Sequence, residues 1–172
     1  MVHHAGITSG RVTSIWKHVV LRDFSNNPAK SGVVRLLGNP GSASYAYDNS
    51  IPYLNDGIDP VNSADRGNNA FRLHPHKGTE EWVTYEFDQP RKLSSVKVYW
   101  PEDGSYTLPV SWRLSYQKAD GRWAPVDSYS PYLIEKDQYN EVTFVAVTTK
   151  RLRIDLELSD AGPGGIIEWK VN

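Results

Sequence analysis

The stretch Gly78–Gly104, GTEEWVTYEFDQPRKLSSVKVYWPEDG, holds two alternating runs separated by a polar turn. In the first, Val83, Tyr85 and Phe87 fall on one side, with Thr84 and Glu86 on the other. In the second, Val96, Val98 and Trp100 share a side, opposite Lys97 and Tyr99. A period of two marks a strand with one face on a core and one in water. Asp88-Gln89-Pro90 interrupts the period, and proline brings no N–H to a ladder. Two half-buried strands of an antiparallel sheet are expected here.

The same alternation recurs downstream. Trp112, Leu114 and Tyr116 alternate with Arg113, Ser115 and Gln117, and Asp120-Gly121 predicts a hairpin turn into Trp123-Ala124-Pro125-Val126. Glu141–Val147, EVTFVAV, reads as a strand that is polar on neither face. From Arg151 to Leu158, Leu152, Ile154, Leu156 and Leu158 face in while Arg151, Arg153, Asp155 and Glu157 face out. Ile167, Trp169 and Val171 oppose Glu168 and Lys170. Upstream, Ser14–Leu21 and Val33–Leu37 are short strand candidates on either side of a turn at Ser25–Pro28. Gly38-Asn39-Pro40-Gly41 marks the start of the main module. Seven or eight short strands with turns between them, and no helical stripe, define an all-β antiparallel sandwich.

A chain of 172 residues, 39% hydrophobic and 23% charged, fits one domain with a sizeable core. Nineteen Lys and Arg against 20 Asp and Glu leave a net charge of −1, with no basic footprint for nucleic acid or an anionic membrane. Zero Cys excludes disulfides and thiolate chemistry. No apolar run approaches the ~20 residues that span a bilayer. The start lacks the apolar core of a signal peptide, and the chain reads as a piece of a larger protein. Residues 42–78 are the longest stretch without alternation and carry the turn dipeptides of Asn55-Asp56-Gly57 and Asp59-Pro60, which makes them a candidate ion or ligand loop. His74-Pro75-His76 sets two imidazoles on one side of an extended chain, too few for a metal site without a third ligand. There is no GxSxG elbow, P-loop or HExxH, and the chain reads as non-catalytic.

In order, Asn55-Asp56-Gly57, Glu81-Trp82-Val83, Ser95–Trp100, Val142-Thr143-Phe144, Leu152-Arg153-Ile154 and Gly165–Val171 resemble the discoidin, or coagulation factor type C, family of galactose-binding-like domains. The resemblance covers roughly residues 40–172. More narrowly, NDGIDPVNSAD, PHKGTEEWV, EKDQYNEVTF and GIIEWKV resemble the C-terminal module of bacterial β-L-arabinofuranosidase-like glycoside hydrolases. Leu73-His74 stands where those relatives carry a tryptophan pair. The resemblance implies a jelly-roll β-sandwich over 38–172, preceded by an extension, 1–37, with extra strands. It implies a carbohydrate-binding module that targets a parent glycoside hydrolase to its polysaccharide. The alternative is a structural accessory domain that packs on the catalytic domain without binding glycan. The implied partners are an arabinose- or galactose-containing plant polysaccharide and the parent catalytic domain, in a secreted or periplasmic bacterial setting.

The resemblance also implies two sets of site residues. One is a structural calcium held by Asp56, Ser63 and Glu168, with carbonyls near Tyr53, Ile58 and Ile167. The plain alternative is an Asx-turn at Asp56 and a solvated Glu168. The other is a shallow sugar patch. In it Trp100, Asp103 and Tyr106 lie where a strand runs out into a loop, and Arg72, His74, His76 and Lys77 supply donors. Trp100 equally continues the inward face of Val96 and Val98, which would make it core.

Overall fold

The computed structural model describes residues 41–65 and 69–172. The strands expected at 14–21 and 33–37, the boundary at 38 and the 1–37 extension lie outside the described residues. Among the described residues there are seven strands. They are β1 (Phe71–Arg72), β2 (Glu80–Tyr99), β3 (Ser111–Gln117), β4 (Trp123–Pro125), β5 (Tyr139–Glu157), β6 (Gly165–Ile166) and β7 (Glu168–Val171). Two 3-10 turns, Tyr47–Asn49 and Ile51–Asn55, precede them. The strand order is β4-β3-β5-β2-β7, with a small β1-β6 pair beside it, and every pairing is antiparallel.

One ladder carries the molecule: β2 pairs with β5 from Glu80↔Glu157 to Tyr99↔Tyr139. The expected turn at Asp88–Pro90 is instead a register shift within that ladder, between Glu86↔Arg151 and Arg91↔Thr149. Pro90 sits in the gap, where no N–H is needed. The first half of the ladder is flanked by β3, which pairs with β5 from Ser111↔Glu157 to Tyr116↔Leu152. The second half is flanked by β7, from Val96↔Val171 to Tyr99↔Glu168. Apolar residues of both halves meet in one core. Val83, Tyr85 and Phe87 come from the first and Val96 and Val98 from the second, joined by Trp100, Leu114, Ile154 and Trp169. A ladder that shifts register and shares one core is how a strand passes from one layer of a sandwich to the other. The fold is the expected all-β antiparallel sandwich.

The differences from simple alternation have local causes. Thr84, expected in water, is buried because the chain at Ser42 covers it. The Thr84 N–H donates to the Ser42 carbonyl at 2.7 Å, and its hydroxyl accepts the Ser42 N–H at 2.7 Å. Tyr99 is buried beneath the edge-on ring of Tyr139, with centroids 5.1 Å apart. The 141–147 segment does alternate once folded, with Val142 and Phe144 buried and Val145 exposed. The hairpin at Asp120-Gly121 forms as expected, with Gly121 at φ 84° and the Lys118 N–H donating to the Arg122 carbonyl at 2.8 Å.

Trp100 has no accessible surface and lies edge-on to Trp112 at 5.3 Å. Trp112 in turn contacts the Tyr132 ring at 5.0 Å and donates its Nε1–H to the Leu133 carbonyl at 2.8 Å, pinning the tyrosine-rich loop to the core. Truncating a fully buried indole costs about 3–5 kcal/mol. Trp100→Ala is therefore expected to lower the urea midpoint by that much stability, and an unchanged midpoint would contradict the core placement.

Candidate functional site

Where β2 ends, three segments distant in sequence converge on a cleft of about 360 Å³. Its lining includes Ser63, Asp65, Arg72, Pro101, Asp103 and Tyr106, with Ile167 behind them. Ser63 and Asp137 hold its rim together reciprocally. The Ser63 N–H donates to Asp137 Oδ1 at 2.8 Å, and the Asp137 N–H donates to Ser63 Oγ at 2.7 Å. The Ser63 carbonyl accepts the Glu102 N–H at 2.8 Å, which ties in the third segment. Asp103 shapes the turn by accepting the N–H groups of Ser105 at 2.8 Å and Tyr106 at 2.9 Å on Oδ1. Its aspartate chemistry thus presents the Tyr106 ring to the cleft. Arg72 is fixed through its backbone N–H, which donates to the buried Ser50 hydroxyl at 2.9 Å. Burial raises the Tyr106 phenol above its ordinary range, opposed by the Arg72 guanidinium and reinforced by Asp103 and Tyr47. Tyr106 is thus a neutral hydroxyl within electrostatic reach of the Arg72 guanidinium, able to donate and accept.

Of the expected sugar residues, the fold brings Arg72, Asp103 and Tyr106 together on this cleft. His74 is exposed and meets the ring edge of Tyr47 at 5.4 Å. His76 points elsewhere: its ring stacks on Tyr45 at 4.0 Å and its Nδ1 lies 2.6 Å from Glu81 Oε1. Lys77 is exposed and, like His76, is not among the described residues that line the cleft. Trp100 is corrected outright, because a ring with no accessible surface offers no face to a sugar. Leu73, at the position of the relatives' tryptophan pair, is also fully buried. A residue the sequence reading did not single out is Tyr47, which does not line the cleft but is 41% exposed and within electrostatic reach of Tyr106. It lies in the loop without alternation, where nothing in the sequence distinguishes one tyrosine from its neighbours.

The ion residues divide in the same way. Glu168, expected as a ligand or else as a solvated residue, has no accessible surface. Its Oε2 accepts the Gly57 N–H at 3.2 Å, while its Oε1 is buried with no hydrogen-bond partner. Burial pushes this carboxyl up to about 8; the Gly57 bond and Lys170 oppose the rise, and Asp56 and Asp59 add to it. Asp56 does form the Asx-turn, accepting the Ile58 N–H on Oδ1 at 2.9 Å. The Ser63 hydroxyl accepts the Asp137 N–H at 2.7 Å, which makes it part of a loop clamp. The side chains of Tyr53 and Ile58 are exposed, and Ile167 is anchored by donating its N–H to the Tyr99 carbonyl at 2.9 Å. A buried, unpartnered carboxylate oxygen among further carboxylates suits a hard cation, and irregular loop backbone suits the carbonyls it needs. No group of three or more His, Cys, Asp or Glu that fits a metal occurs among the described residues, so carbonyl oxygens would have to complete the shell.

The family model for the NedA-like, galactose-binding domain of F5/F8 type C matches residues 63–154, over half of the chain. The chain belongs to this family of galactose-binding-like domains. Its fold is similar to that of a module of Streptococcus pneumoniae β-galactosidase BgaA, at TM-score 0.66 and 18% identity, covering 76% of this chain and 89% of that one. It is similar to CpGH89CBM32-5 from Clostridium perfringens, in complex with GalNAc-β-1,3-galactose, at TM-score 0.59 and 9% identity, covering 76% and 92%. It is also similar to the family 32 carbohydrate-binding module of C. perfringens NanJ, in complex with galactose, at TM-score 0.52 and 17% identity, covering 76% and 90%. At these identities the likeness is one of fold.

Glu168 makes stability depend on pH in a direction opposite to the usual carboxylate. Its folded pKa of about 8 lies above the ordinary 4.5, so the folded state holds the proton more tightly. Its contribution is fully present below about 4.5 and is lost as pH rises to about 8, by up to roughly 5 kcal/mol. In chelator, Glu168→Gln should therefore gain stability over the parent as pH rises through that window. Parallel pH–stability curves for the two proteins would refute this.

Proposed function

We propose that the chain is a non-catalytic carbohydrate-binding module that takes a glycan in the loop cleft and holds a parent glycoside hydrolase on its polysaccharide. The observation that carries this reading is the convergence of Arg72, Asp103 and the half-buried Tyr106 on a cleft whose rim is fixed by the Ser63–Asp137 clamp. A sugar ring offers C–H groups to the tyrosine ring of Tyr106. Its hydroxyls meet the Arg72 guanidinium and the Asp103 carboxylate, the latter already oriented by its turn bonds, so its side-chain freedom is not lost on binding. Two neighbours of the same fold are in complex with galactose-containing ligands, which supports a galactose-bearing glycan as the target; an arabinose-bearing plant polysaccharide is proposed beside it on the sequence resemblance. The cleft is small, so the expected affinity is micromolar to millimolar, about 4–8 kcal/mol. This work is extracellular, in a secreted or periplasmic bacterial enzyme of the β-L-arabinofuranosidase type. The second reading, a domain that only packs on the catalytic unit, draws on the burial of Trp100 and Leu73, which removes the expected indole platform.

A structural calcium belongs to the same proposal. Asp56 and Glu168 would hold it with nearby backbone carbonyls, and its charge would compensate the buried Glu168 carboxylate and stiffen the Asn55–Asp59 loop. Its role is to hold the loop, and sugar recognition stays with Arg72, Asp103 and Tyr106.

Two measurements test these readings. Arg72→Ala and Tyr106→Ala should each weaken binding on a galactose- and arabinose-weighted glycan array by about ten-fold or more without changing the melting temperature. A well-folded parent that binds nothing on the array would leave the packing-domain reading. Calcium in excess over its Kd should raise the melting temperature by about 5–10 °C relative to chelator, an effect abolished in Glu168→Gln. Identical melts in calcium and chelator would remove the ion.

A further inference from the structure

A second, larger concavity, about 510 Å³, lies on the outward face of the sheet formed by β2, β5, β3 and β4. It shares no lining residue with the loop cleft. Its volume falls within the roughly 300–1,000 Å³ of ligand clefts. One cross-strand row crosses its floor, with Trp82 of β2 opposite Asp155 of β5 and Asp155 opposite Arg113 of β3. An indole, a carboxylate and a guanidinium thus stand side by side. The outward face of a sheet is ordinarily clothed in mobile charged chains, yet no lysine lines this groove and several of its polar groups are already tied to one another. Ser111 Oγ donates to Glu157 Oε2 at 2.9 Å, Ser115 Oγ donates to Asp155 Oδ2 at 3.2 Å, and Arg153 Nε lies 2.9 Å from Asp155 Oδ1. The Arg153 guanidinium is held in turn over the Trp123 ring, 4.8 Å from its centroid.

We propose that this sheet-face groove is a second carbohydrate-binding site, with Trp82 as its stacking platform and Arg113 and Asp155 as its hydroxyl-reading groups. The half-buried Trp82 gives the apolar face that a sugar's C–H groups need, and the cross-strand bond from Ser115 holds the Asp155 acceptor before the ligand arrives, with Arg113 exposed beside it. Charge narrows the ligand. Carboxylates outnumber guanidinium groups along the lining, so uronates and sulfated sugars are repelled and the groove takes an uncharged oligosaccharide. The inference borrows its ligand class from the carbohydrate-binding reading of the loop cleft and nothing else.

The test is a titration of the isotope-labelled full chain with cellotetraose, xylotetraose and linear galactan and arabinan oligosaccharides, followed by amide and indole NMR shifts. At least one of them should move the Trp82 indole N–H and the amides of β3 and of the Arg153–Glu157 end of β5. Those shifts should persist in Arg72→Ala and Tyr106→Ala, which disable the loop cleft. They should weaken about ten-fold in Trp82→Ala and in Arg113→Ala, the latter an exposed position that leaves the core untouched. Movement in the groove with a silent loop cleft would uphold the groove and remove the loop site. Shifts confined to the loop cleft, no shift with any of the four sugars, or groove shifts unaffected by both groove variants would overturn the proposal.

Discussion

The pairing of β2 with β5 is the constraint on which everything else rests. The two strands, 20 and 19 residues long, run antiparallel across the molecule and shift register twice near the middle, between Glu86 and Arg91 and between Leu93 and Ser95. Across those shifts the inward faces of both halves look onto one core, and the outward faces are left for other work. At one end, Tyr139, Tyr99 and Glu168 stand in a row on β5, β2 and β7, and the chain leaves β2 to build the loop cleft. Towards the other end, Trp82, Asp155 and Arg113 stand in a similar row on β2, β5 and β3, facing away from the core. The sheet-face groove is therefore a row of the ladder itself, whereas the loop cleft is built from segments that leave its end.

Two buried carboxylates show that burial alone does not set the state of an acid. Glu81 is 6% exposed and Glu168 is fully buried. Burial pushes the Glu81 carboxyl up, but hydrogen bonds from Ser44, His76 and Thr79, with the His76 charge, outweigh it and hold the group below its ordinary range. Glu168 receives one backbone N–H and faces Asp56 and Asp59, so burial prevails. The difference lies in the donors each segment supplies. Ser44, Thr79 and His76 are side chains brought to Glu81 on three sides, whereas the Asn55–Asp59 loop offers Glu168 mostly acidic company.

The strands were readable from the sequence because alternation reports burial directly. Val83-Tyr85-Phe87, Val96-Val98-Trp100 and Leu152-Ile154-Leu156-Leu158 all face the core as the period requires. The same period placed Thr84, Tyr99 and Glu168 in water, and all three are buried: the chain at Ser42 covers Thr84, the Tyr139 ring of the paired strand covers Tyr99, and the loop at Gly57 meets Glu168. Period-two patterns carry no information about such covers. The candidate cleft was half readable: Arg72, Asp103 and Tyr106 were named, while Trp100 belonged to the core that its own spacing already indicated. Tyr47 was hidden in a stretch without period, and the sheet-face groove was hidden because an outward Trp82 beside charged neighbours reads in one dimension as ordinary surface.

The reciprocal bonds between Ser63 and Asp137 join segments 74 positions apart, and the Ser63 carbonyl adds the Glu102 segment. A rim assembled in this way behaves as one mechanical part. Exchanging a single loop for that of a relative would break the clamp and slacken all three segments at once, so specificity does not travel with any one of them. The side chains that line the cleft without holding it are Tyr106 and Arg72 foremost. On the proposed function, the domain thus separates a frame that resists change from a small palette of positions at which a new ligand preference would be acquired by point substitution.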